Sequence, residues 1–405
     1  MSEWKEKNIT DVCDTISDTY RDGADKVILI NTSDVLEGKV TNHKLVPNQN
    51  LAGQFKKTFR KDDILYSEIR PSNRRYAYVD FEPKDYIAST KLMVLRSKPC
   101  VLPKYLYYLL TNNTTIRNLH TIAVGRSGTF PQITYSELAN IKFLLPSIEE
   151  QEEILAILLD IDDKIAINRR ICENLEAQAQ ALFKHWFIDF APFKNGKFVE
   201  SELGMIPEGW RVVTLDEATS KFGTGLNPRQ NFKLGCGKNY YVTIKNMIDN
   251  RVVLDNKCDF VDDEAIKVIQ KRSKLTKGDL LFSGIGTIGR VAMVVDEPLN
   301  WNTSESVFNM HPAEGFSTEF IYVLLLSKPL QNYVKTNSQG AVQQGIRMAS
   351  LKAYKFPYPQ YDIKEFNDMI KDIISKKTVI EKECDTLSAL RDTLLPKLMS
   401  GEIKV

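Results

Sequence analysis

The sequence has few residues that could hold a metal or form disulfides. Its six cysteines include no C-x-x-C pair, and its four histidines lie far apart. This pattern predicts reduced thiols and no zinc site. No apolar run reaches the roughly 18 residues of a transmembrane helix, and the N-terminus lacks the apolar core of a signal peptide. These absences favour a cytoplasmic protein without a metal cofactor.

Sequence motifs of common enzymes are also missing. There is no G-x-x-x-x-G-K-[ST] phosphate loop, no H-E-x-x-H and no G-x-S-x-G. The N-P-P-[FY] motif expected of adenine-N6 methyltransferases is absent, because Asn227 and Pro228 are followed by Arg229. GIGTIG at 284–289 fits the dinucleotide fingerprint, but the β-branched run after Arg290 predicts a strand where the fingerprint requires a helix. We therefore predict a glycine-rich hairpin there, and a protein that binds rather than catalyses.

The chain contains an internal repeat. Four pairs of segments resemble each other in the same order, at offsets of 206 to 216 residues. They are Trp4 and Trp210 with the residues that follow them, DILYS at 63–67 and DLLFS at 279–283, YLYYLL at 105–110 and FIYVLL at 320–325, and the segments ending at Pro146 and Pro359. Four matches in one order indicate two diverged copies, roughly 1–200 and 201–405. In each copy, the first part mixes short β-rich runs with turns, which predicts a mixed α/β domain.

The second part of each copy predicts a long helix with a coiled-coil seam. Its seam positions recur in alternating steps of four and three residues for over four heptads. The first seam is Ile154, Leu158, Ile161, Ile165, Asn168, Cys172, Leu175, Ala179, Leu182 and Trp186. The second is Phe366, Ile370, Ile373, Lys377, Ile380, Cys384, Leu387, Arg391, Leu394 and Leu398. Such a seam needs a partner, so we predict that the two helices pair, with the interface at the Ile and Leu positions from Ile154 to Leu182 and from Ile370 to Leu394. Asn168, Lys377 and Arg391 would fix the register. Two independent surface helices are the alternative.

This organisation predicts an α+β fold, with two mixed α/β domains joined by two long helices that form an antiparallel coiled coil with pseudo-two-fold symmetry. The predicted segments are a domain at 1–145, a helix at 146–190, a domain at 191–358 and a helix at 359–405. Basic residues outnumber acidic ones by 21 to 16 in the first domain and by 21 to 17 in the second, whereas acidic residues lead by 10 to 4 in the first helix. The arrangement suits a ligand with two separated half-sites.

Side chains suited to nucleic-acid binding occur in both predicted domains. They include arginines beside tyrosines, a polar glycine-rich loop in the second copy, and a Gly/Gln stretch before each helix, at 125–133 and 338–347. Arg and Gln are suited to bidentate contacts with guanine and adenine edges. The candidate DNA-binding residues are Arg70, Arg74, Arg75, Arg126, Gln132, Arg229, Lys233, Lys238, Lys245, Asn246, Arg290, Gln343, Gln344 and Arg347. For each of them, a solvated surface side chain is the alternative.

Several segments resemble the specificity subunits of type I restriction-modification systems. IKFLLPSIEEQEEILAILLDIDDKIAINRR at 141–170 and LFKHWFIDF at 182–190 look like the central conserved region of that family, and LLPKLMSGEI at 394–403 looks like its C-terminus. GDLLFSGIGTIGRVAMV at 278–294 and LGMIPEGWRVVTLDE at 203–217 are similar to stretches of its target-recognition domains. The second helix departs from the pattern, since YDIKEF at 361–366 stands in place of the EEQ triplet that ends at Gln151.

The resemblance implies a non-catalytic subunit whose two target-recognition domains read the two halves of a bipartite, asymmetric site in double-stranded DNA. The helix pair would set the distance between the half-sites and dock two modification (methyltransferase) subunits. Those partners would carry S-adenosylmethionine, so no cofactor is expected on this chain. Motor subunits, when present, would cut DNA, and no membrane partner is expected. Two alternatives stay open: a coiled-coil scaffold that does not bind DNA, and a methyltransferase or nuclease with an unfamiliar site.

Overall fold

The computed structural model describes residues 4–21, 23–49, 51, 53–126, 129–340 and 344–405. The chain divides into two compact units, one made of Met1–Arg169 with Glu381–Val405 and the other of Arg170–Ile380. The border between the units therefore crosses both long helices. The boundaries that the sequence predicts for the two domains and the two helices stay predictions.

The described part of the first unit mixes strands and helices. Its strands are β1 (Lys5–Asn8), β2 (Cys13–Ile16), β3 (Lys26–Ile30), β4 (Val35–Leu36), β5 (Lys39–Val40), β6 (Leu45–Pro47), β7 (Phe55–Lys57), β8 (Ile64–Ser67), β9 (Tyr76–Tyr78), β10 (Tyr86–Ser89), β11 (Leu92–Ser97) and β12 (Lys142–Leu145). Its helices are α1 (Ile9–Val12), α2 (Pro103–Thr111), α3 (Asn113–Arg126), α4 (Tyr135–Ala139), the beginning of α5 (Ile148–Phe187) and the end of the last helix, α10 (Lys364–Ser400).

The second unit repeats this plan. Its described strands are β13 (Phe198–Ser201), β14 (Gly204–Pro207), β15 (Trp210–Thr214), β16 (Thr219–Thr224), β17 (Asn239–Val242), β18 (Met247–Ile248), β19 (Arg251–Val252), β20 (Asp259–Val261), β21 (Leu280–Ser283), β22 (Val291–Met293), β23 (Trp301–Thr303), β24 (Val307–Pro312) and β25 (Lys355–Pro359). Its helices are the end of α5, α6 (Asp263–Arg272), α7 (Thr318–Leu326), α8 (Lys328–Thr336), α9 (Met348–Lys352) and the first part of α10 (Lys364–Ser400).

Strand pairing in the two units confirms the internal repeat. The sheet β2-β11-β8-β9 of the first unit corresponds to β16-β24-β21-β22 of the second. The parallel pair β3/β10 corresponds to β17/β23, and the antiparallel pair β1/β12 corresponds to β15/β25. The segments that resemble each other in the sequence occupy equivalent elements, since DILYS and DLLFS contain β8 and β21, and YLYYLL and FIYVLL form parts of α2 and α7.

The aspartate of each repeated strand motif is fully buried and paired. Asp63 accepts two 2.7 Å hydrogen bonds from the Arg96 guanidinium. Asp279, its counterpart, accepts a 2.9 Å bond from Lys221 Nζ and contacts His311 Nδ1 at 2.7 Å. A buried carboxylate without such partners would be strongly unfavourable, so the basic partner in each copy stabilises the buried aspartate.

GIGTIG forms a hairpin, as predicted. Strands β21 and β22 pair antiparallel on either side of it, from Leu280↔Met293 to Phe282↔Val291. Gly286 and Gly289 have φ angles of 85° and 87°, a region that L side chains rarely adopt. A Cβ on Gly284 would lie 2.3 Å from the Phe308 ring, so a larger residue cannot replace it without displacing the ring. The glycines therefore serve a tight turn rather than a dinucleotide.

In the first unit, α5 and α10 run antiparallel. Arg391 Nη1 on α10 donates to Asp162 Oδ1 at 2.7 Å. Further along α5, the buried Asn168 donates through Nδ2 to Glu383 Oε2 at 2.8 Å. Residues later in α5 thus contact residues earlier in α10, so the two helices are antiparallel.

The same direction holds in the second unit. Cys172 Sγ lies 3.9 Å from the Lys377 carbonyl oxygen, and the rings of Trp186 and Phe366 lie 5.7 Å apart. Every predicted seam position on both helices is buried or half-buried. The antiparallel coiled coil and the α+β class are therefore confirmed. The hydrophobic core of each unit includes residues from both long helices, such as Leu158 and Leu398 in the first unit and Phe183 and Phe366 in the second.

The beginning of α5 is fixed by the EEQ triplet. The fully buried Gln151 accepts a hydrogen bond from Leu102 N at 2.9 Å and donates to the carbonyl oxygens of Cys100 and Pro146 at 3.2 and 3.1 Å. Burying this amide is tolerated because it is hydrogen-bonded at both ends. The triplet therefore has a structural role, joining the helix to the mixed α/β domain of its own unit.

The beginning of α10 uses different side chains. Where Trp4 Nε1 donates to Glu150 Oε1 at 3.4 Å in the first unit, Trp210 Nε1 donates to the hydroxyl of Tyr361 at 2.9 Å in the second. A tyrosine hydroxyl thus accepts the hydrogen bond that a triplet glutamate accepts in the first copy. This substitution accounts for the departure from EEQ at 361–366.

Candidate nucleic-acid interface

In the first unit, two candidate segments are joined at the end of the sheet. The loop after β8 pairs with the segment before α4, since Arg70 N donates to the Pro131 carbonyl at 3.0 Å and Ile133 N donates to that of Glu68 at 2.8 Å. This pairing brings the exposed Arg70 close to the half-exposed Gln132. Arg126, also a candidate, forms a 2.5 Å ion pair with Glu137.

The second unit has the same junction with different side chains. Gly286 N donates to the Gln344 carbonyl at 2.7 Å, and Ile346 N donates to the Gly284 carbonyl at 2.9 Å. The hydrogen bond from Ile346 N is the counterpart of the bond from Ile133 N in the first unit. Gln344 and Arg347 are exposed beside the glycine hairpin. Gln343, the remaining candidate of this segment, lies outside the described residues.

Two of the predicted DNA-binding arginines donate hydrogen bonds to loops of the fold. Arg75 Nη1 donates to the Ser33 carbonyl at 2.9 Å, next to the 3-10 turn that follows β3. Arg290 Nη1 donates to the carbonyls of Ile244 and Met247 at 3.0 and 2.8 Å, around the equivalent turn after β17. These equivalent bonds fasten the turn to the sheet in both units. We therefore leave both arginines out of the proposed interface.

Two more candidates are engaged within the fold. Arg74 Nη2 donates to Asn113 Oδ1 at 2.5 Å. Asn246 is only 4% exposed, and its Oδ1 accepts a 2.9 Å hydrogen bond from Thr243 N while its Nδ2 lies 3.0 Å from Cys258 Sγ. A side chain that is buried and bonded in this way cannot reach a base without local rearrangement. Asn246 is also left out of the interface.

The polar loop of the second unit presents cations to solvent. Arg229, Lys233 and Lys238 are exposed between β16 and β17, and Lys245 is exposed in the turn after β17. Lys245 also borders a cavity of about 270 Å³ at the carboxyl ends of the parallel strands β17 and β23. Exposed lysines and arginines on loops are suited to contacts with phosphates.

A buried tyrosine forms part of the wall of this cavity. Tyr241 Oη donates to the Leu226 carbonyl at 2.8 Å and lies 3.3 Å from Glu305 Oε2. Burial, and then the Glu305 carboxylate, raise the pKa of Tyr241, so the hydroxyl stays protonated and can donate. The bond to Leu226 ties the start of the basic loop to the sheet. Among the described residues, no cluster of His, Cys, Asp or Glu is arranged to hold a metal ion.

The sequence did not lead us to predict two short hairpins, one in each unit, that follow the 3-10 turns after β3 and β17. In the second unit, β18 and β19 are joined by Asp249 and Asn250, with φ angles of 50° and 58°. In the first unit, β4 and β5 are joined by Glu37 and Gly38. Two-residue turns with positive φ favour Asn, Asp and Gly, so the Asp-Asn pair was the available signal.

The family model and the similar proteins described below all point to one family. The family model described as "Type I restriction modification DNA specificity domain" matches residues 1–177 and again 207–384. The HindI specificity subunit of Haemophilus influenzae is 30% identical over the whole of both chains. The MjaIX specificity subunit of Methanocaldococcus jannaschii is 29% identical over 86% of this chain and 79% of its own.

One solved structure of similar description is the type I restriction-modification S subunit from M. genitalium, which is 18% identical, with a TM-score of 0.48 over 98% of this chain and 96% of that one. No helix in the described ranges is long and apolar enough to cross a membrane. The assignment rests on the sequence matches, which cover both copies of the repeat. The chain belongs to the family of type I restriction-modification DNA specificity subunits, the non-catalytic recognition subunits of these systems.

Proposed function

We propose that this subunit reads a bipartite, asymmetric DNA site, with one half contacted by each recognition domain. The observation that carries the proposal is the loop junction, which has the same backbone bonds in both units but different exposed side chains. Arg70 and Gln132 occupy it in the first unit, and Gln344 and Arg347 in the second. Base edges are read by such side chains, so equivalent frames with different residues would select different sequences.

Two modification subunits would dock on the paired helices and supply the chemistry. Large apolar side chains on the helices support this, since Ile167 is 56% exposed, Ile171 38% and Val379 65%. The excess of acidic residues at 146–190 offers charge complementarity to a basic partner surface. S-adenosylmethionine would bind to the partners, which would methylate adenine, and motor subunits would join where the system also cuts DNA.

The isolated chain is expected to transfer no methyl groups to DNA. Methylation should appear when the modification subunits are added, and not with those subunits alone. Radiolabelled S-adenosylmethionine and genomic DNA from a host without the system provide the assay. Robust transfer by the purified chain would favour the alternative of an unfamiliar catalytic site, and an active complex that needs no recognition domain would favour the scaffold.

Lengthening both helices is expected to widen the gap between the half-sites. Four residues inserted after Arg169 and four after Ile380 would leave the contacts within each compact unit intact. They would lengthen each helix by about 6 Å at about 1.5 Å per residue, close to two base pairs at about 3.4 Å each. Because four residues are just over one turn, the helix faces stay nearly in phase. We expect both half-sites to be kept and the gap to grow by about one or two base pairs. Methylation mapping that finds the original gap in an active variant would contradict the role of the helices as a spacer.

A further inference from the structure

Lys377, one of the two cations in the coiled-coil seam, bonds to a group outside the helix pair. A lysine at a buried seam position usually serves register or partner choice between helices. Lys377 is 7% exposed, yet its Nζ donates to the carbonyl oxygen of Asp249, at 3.2 Å, in the tip of the β18–β19 hairpin. Asp249 and Lys377 belong to the same compact unit. The seam lysine therefore joins the recognition domain to the helix.

A second contact reinforces this junction from the other helix. Glu176 on α5 accepts a hydrogen bond from Asn250 Nδ2, and its Oε2 lies 3.6 Å from Lys377 Nζ. The hairpin tip thus bonds to a charged residue on each long helix. The base of the same hairpin is fastened to the sheet by Arg290, through the Met247 carbonyl. A continuous set of polar contacts runs from the helices to the sheet that carries the glycine hairpin.

The first unit has a corresponding junction at the other seam cation. Arg391 donates to Asp162 Oδ1 at 2.7 Å, and the hydroxyl of Tyr108 on α2 donates to Asp162 Oδ2 at 2.5 Å. Burial, and then the hydrogen bond to Asp162, raise the pKa of Tyr108. A seam arginine, a helix carboxylate and a domain hydroxyl are thereby linked. In both units the charged interruption of the seam lies where a recognition domain contacts the helices.

Helix pairing alone does not require these cations. An apolar residue of similar size at a buried position commonly stabilises a coiled coil as well as, or better than, a buried ion pair. An apolar side chain could not bond to a backbone carbonyl and contact a carboxylate, as Lys377 does. Hydrogen bonds to charged groups are roughly twice as strong as those between neutral groups.

We propose that Lys377 and Arg391 are positioning residues that fix the orientation of each recognition domain on its own segment of the helices, and so restrict the complex to one gap length. The inference rests on the proposed reading of a bipartite site. If a domain can pivot on the helices, its half-site can be reached at several separations. Removing the contact should therefore relax the gap without changing either half-site sequence.

The test is Lys377→Met in the full chain, assembled with the modification subunits. The substrates are duplexes that carry the mapped half-sites at the native gap and at gaps one base pair shorter and longer. We expect the preference for the native gap to fall about tenfold, the size of effect that loss of a charged hydrogen bond produces. Lys376→Met, at the adjacent exposed lysine, is the matched control and should leave the preference unchanged. Lys377→Arg should restore most of it.

Other outcomes separate the proposal from simpler effects. A Lys377→Met complex with an unchanged gap preference, or with equal loss of rate at every gap, would overturn it. Should that variant fail to assemble, Asn250→Gly decides, because glycine keeps the positive φ of the turn and removes only the contact to Glu176. An unchanged preference in Asn250→Gly would then overturn the proposal. A wild-type complex with no bipartite site would instead disprove the proposed function itself.

Discussion

Replacing Ile165 with aspartate is expected to destabilise the protein by about 4 kcal/mol or more, because a buried isoleucine is lost and a charge is placed in the helix interface. Ile165 is 4% exposed, and its carbonyl oxygen lies 4.0 Å from Cys384 Sγ on the facing helix. Denaturant unfolding of the purified chain, followed by circular dichroism, measures the effect. A variant unable to pair its helices should also fail to support methylation with the partner subunits.

Ile167→Asp is the matched control for the unfolding measurement. Ile167 is the same residue type, two positions along the same helix, but it is 56% exposed. We expect its replacement to change the free energy of unfolding by about 0.5 kcal/mol or less, as is usual for surface sites. Glu176→Lys, although off the seam, is a poor control because Glu176 bonds to Asn250. Equal destabilisation by the two aspartates would contradict the seam assignment.

Exchanging the first recognition domain for that of a relative is expected to change one half of the methylated site and leave the other half unaltered. The segment exchanged is 1–145, which is replaced as a block so that the core and the loop junction of that domain stay together. The donor must keep the contacts to Gln151 and Asp162 at the helix, since these join the domain to α5. Methylation mapping of the chimaera gives the result.

The reciprocal exchange of 191–358 provides the control and should alter only the other half. A large change in specificity is expected from each exchange, since each mismatched base pair costs about 1–3 kcal/mol and a half-site contains several. Coordinated changes in both halves after a single exchange would show that the domains do not read separately.

The sequence was most informative where packing follows a period. The heptad steps from Ile154 to Trp186 predicted a helix face turned to a partner, and every position on that face is buried or half-buried in the structure. The repeated strand motif was equally informative, because DILYS and DLLFS contain the equivalent strands β8 and β21 of the two units. Heptad steps and repeated motifs can be read directly from the sequence, and they mark side chains that the fold buries.

The partners of individual polar side chains could not be read from the sequence. Arg75 and Arg290 were predicted as DNA-binding residues, and the sequence did not show that each donates to a carbonyl oxygen more than forty residues away along the chain. The heptad pattern predicted Lys377 and Arg391 as register residues, but it carried no information about the domain residues that bond to Lys377 and to Asp162, the partner of Arg391. Asn246 lay in a polar loop, but its neighbours in space bury it. Contacts of the other candidate residues with DNA stay a prediction.

The most direct test of the account is methylation-sensitive sequencing of DNA from a host that expresses this chain together with its modification subunits. We predict one methylated motif composed of two different short sequences separated by a gap of fixed length, and no such methylation when the chain is omitted. Methylation at a single continuous motif, or a pattern that does not depend on the presence of this chain, would contradict the central claim that its two domains read two half-sites.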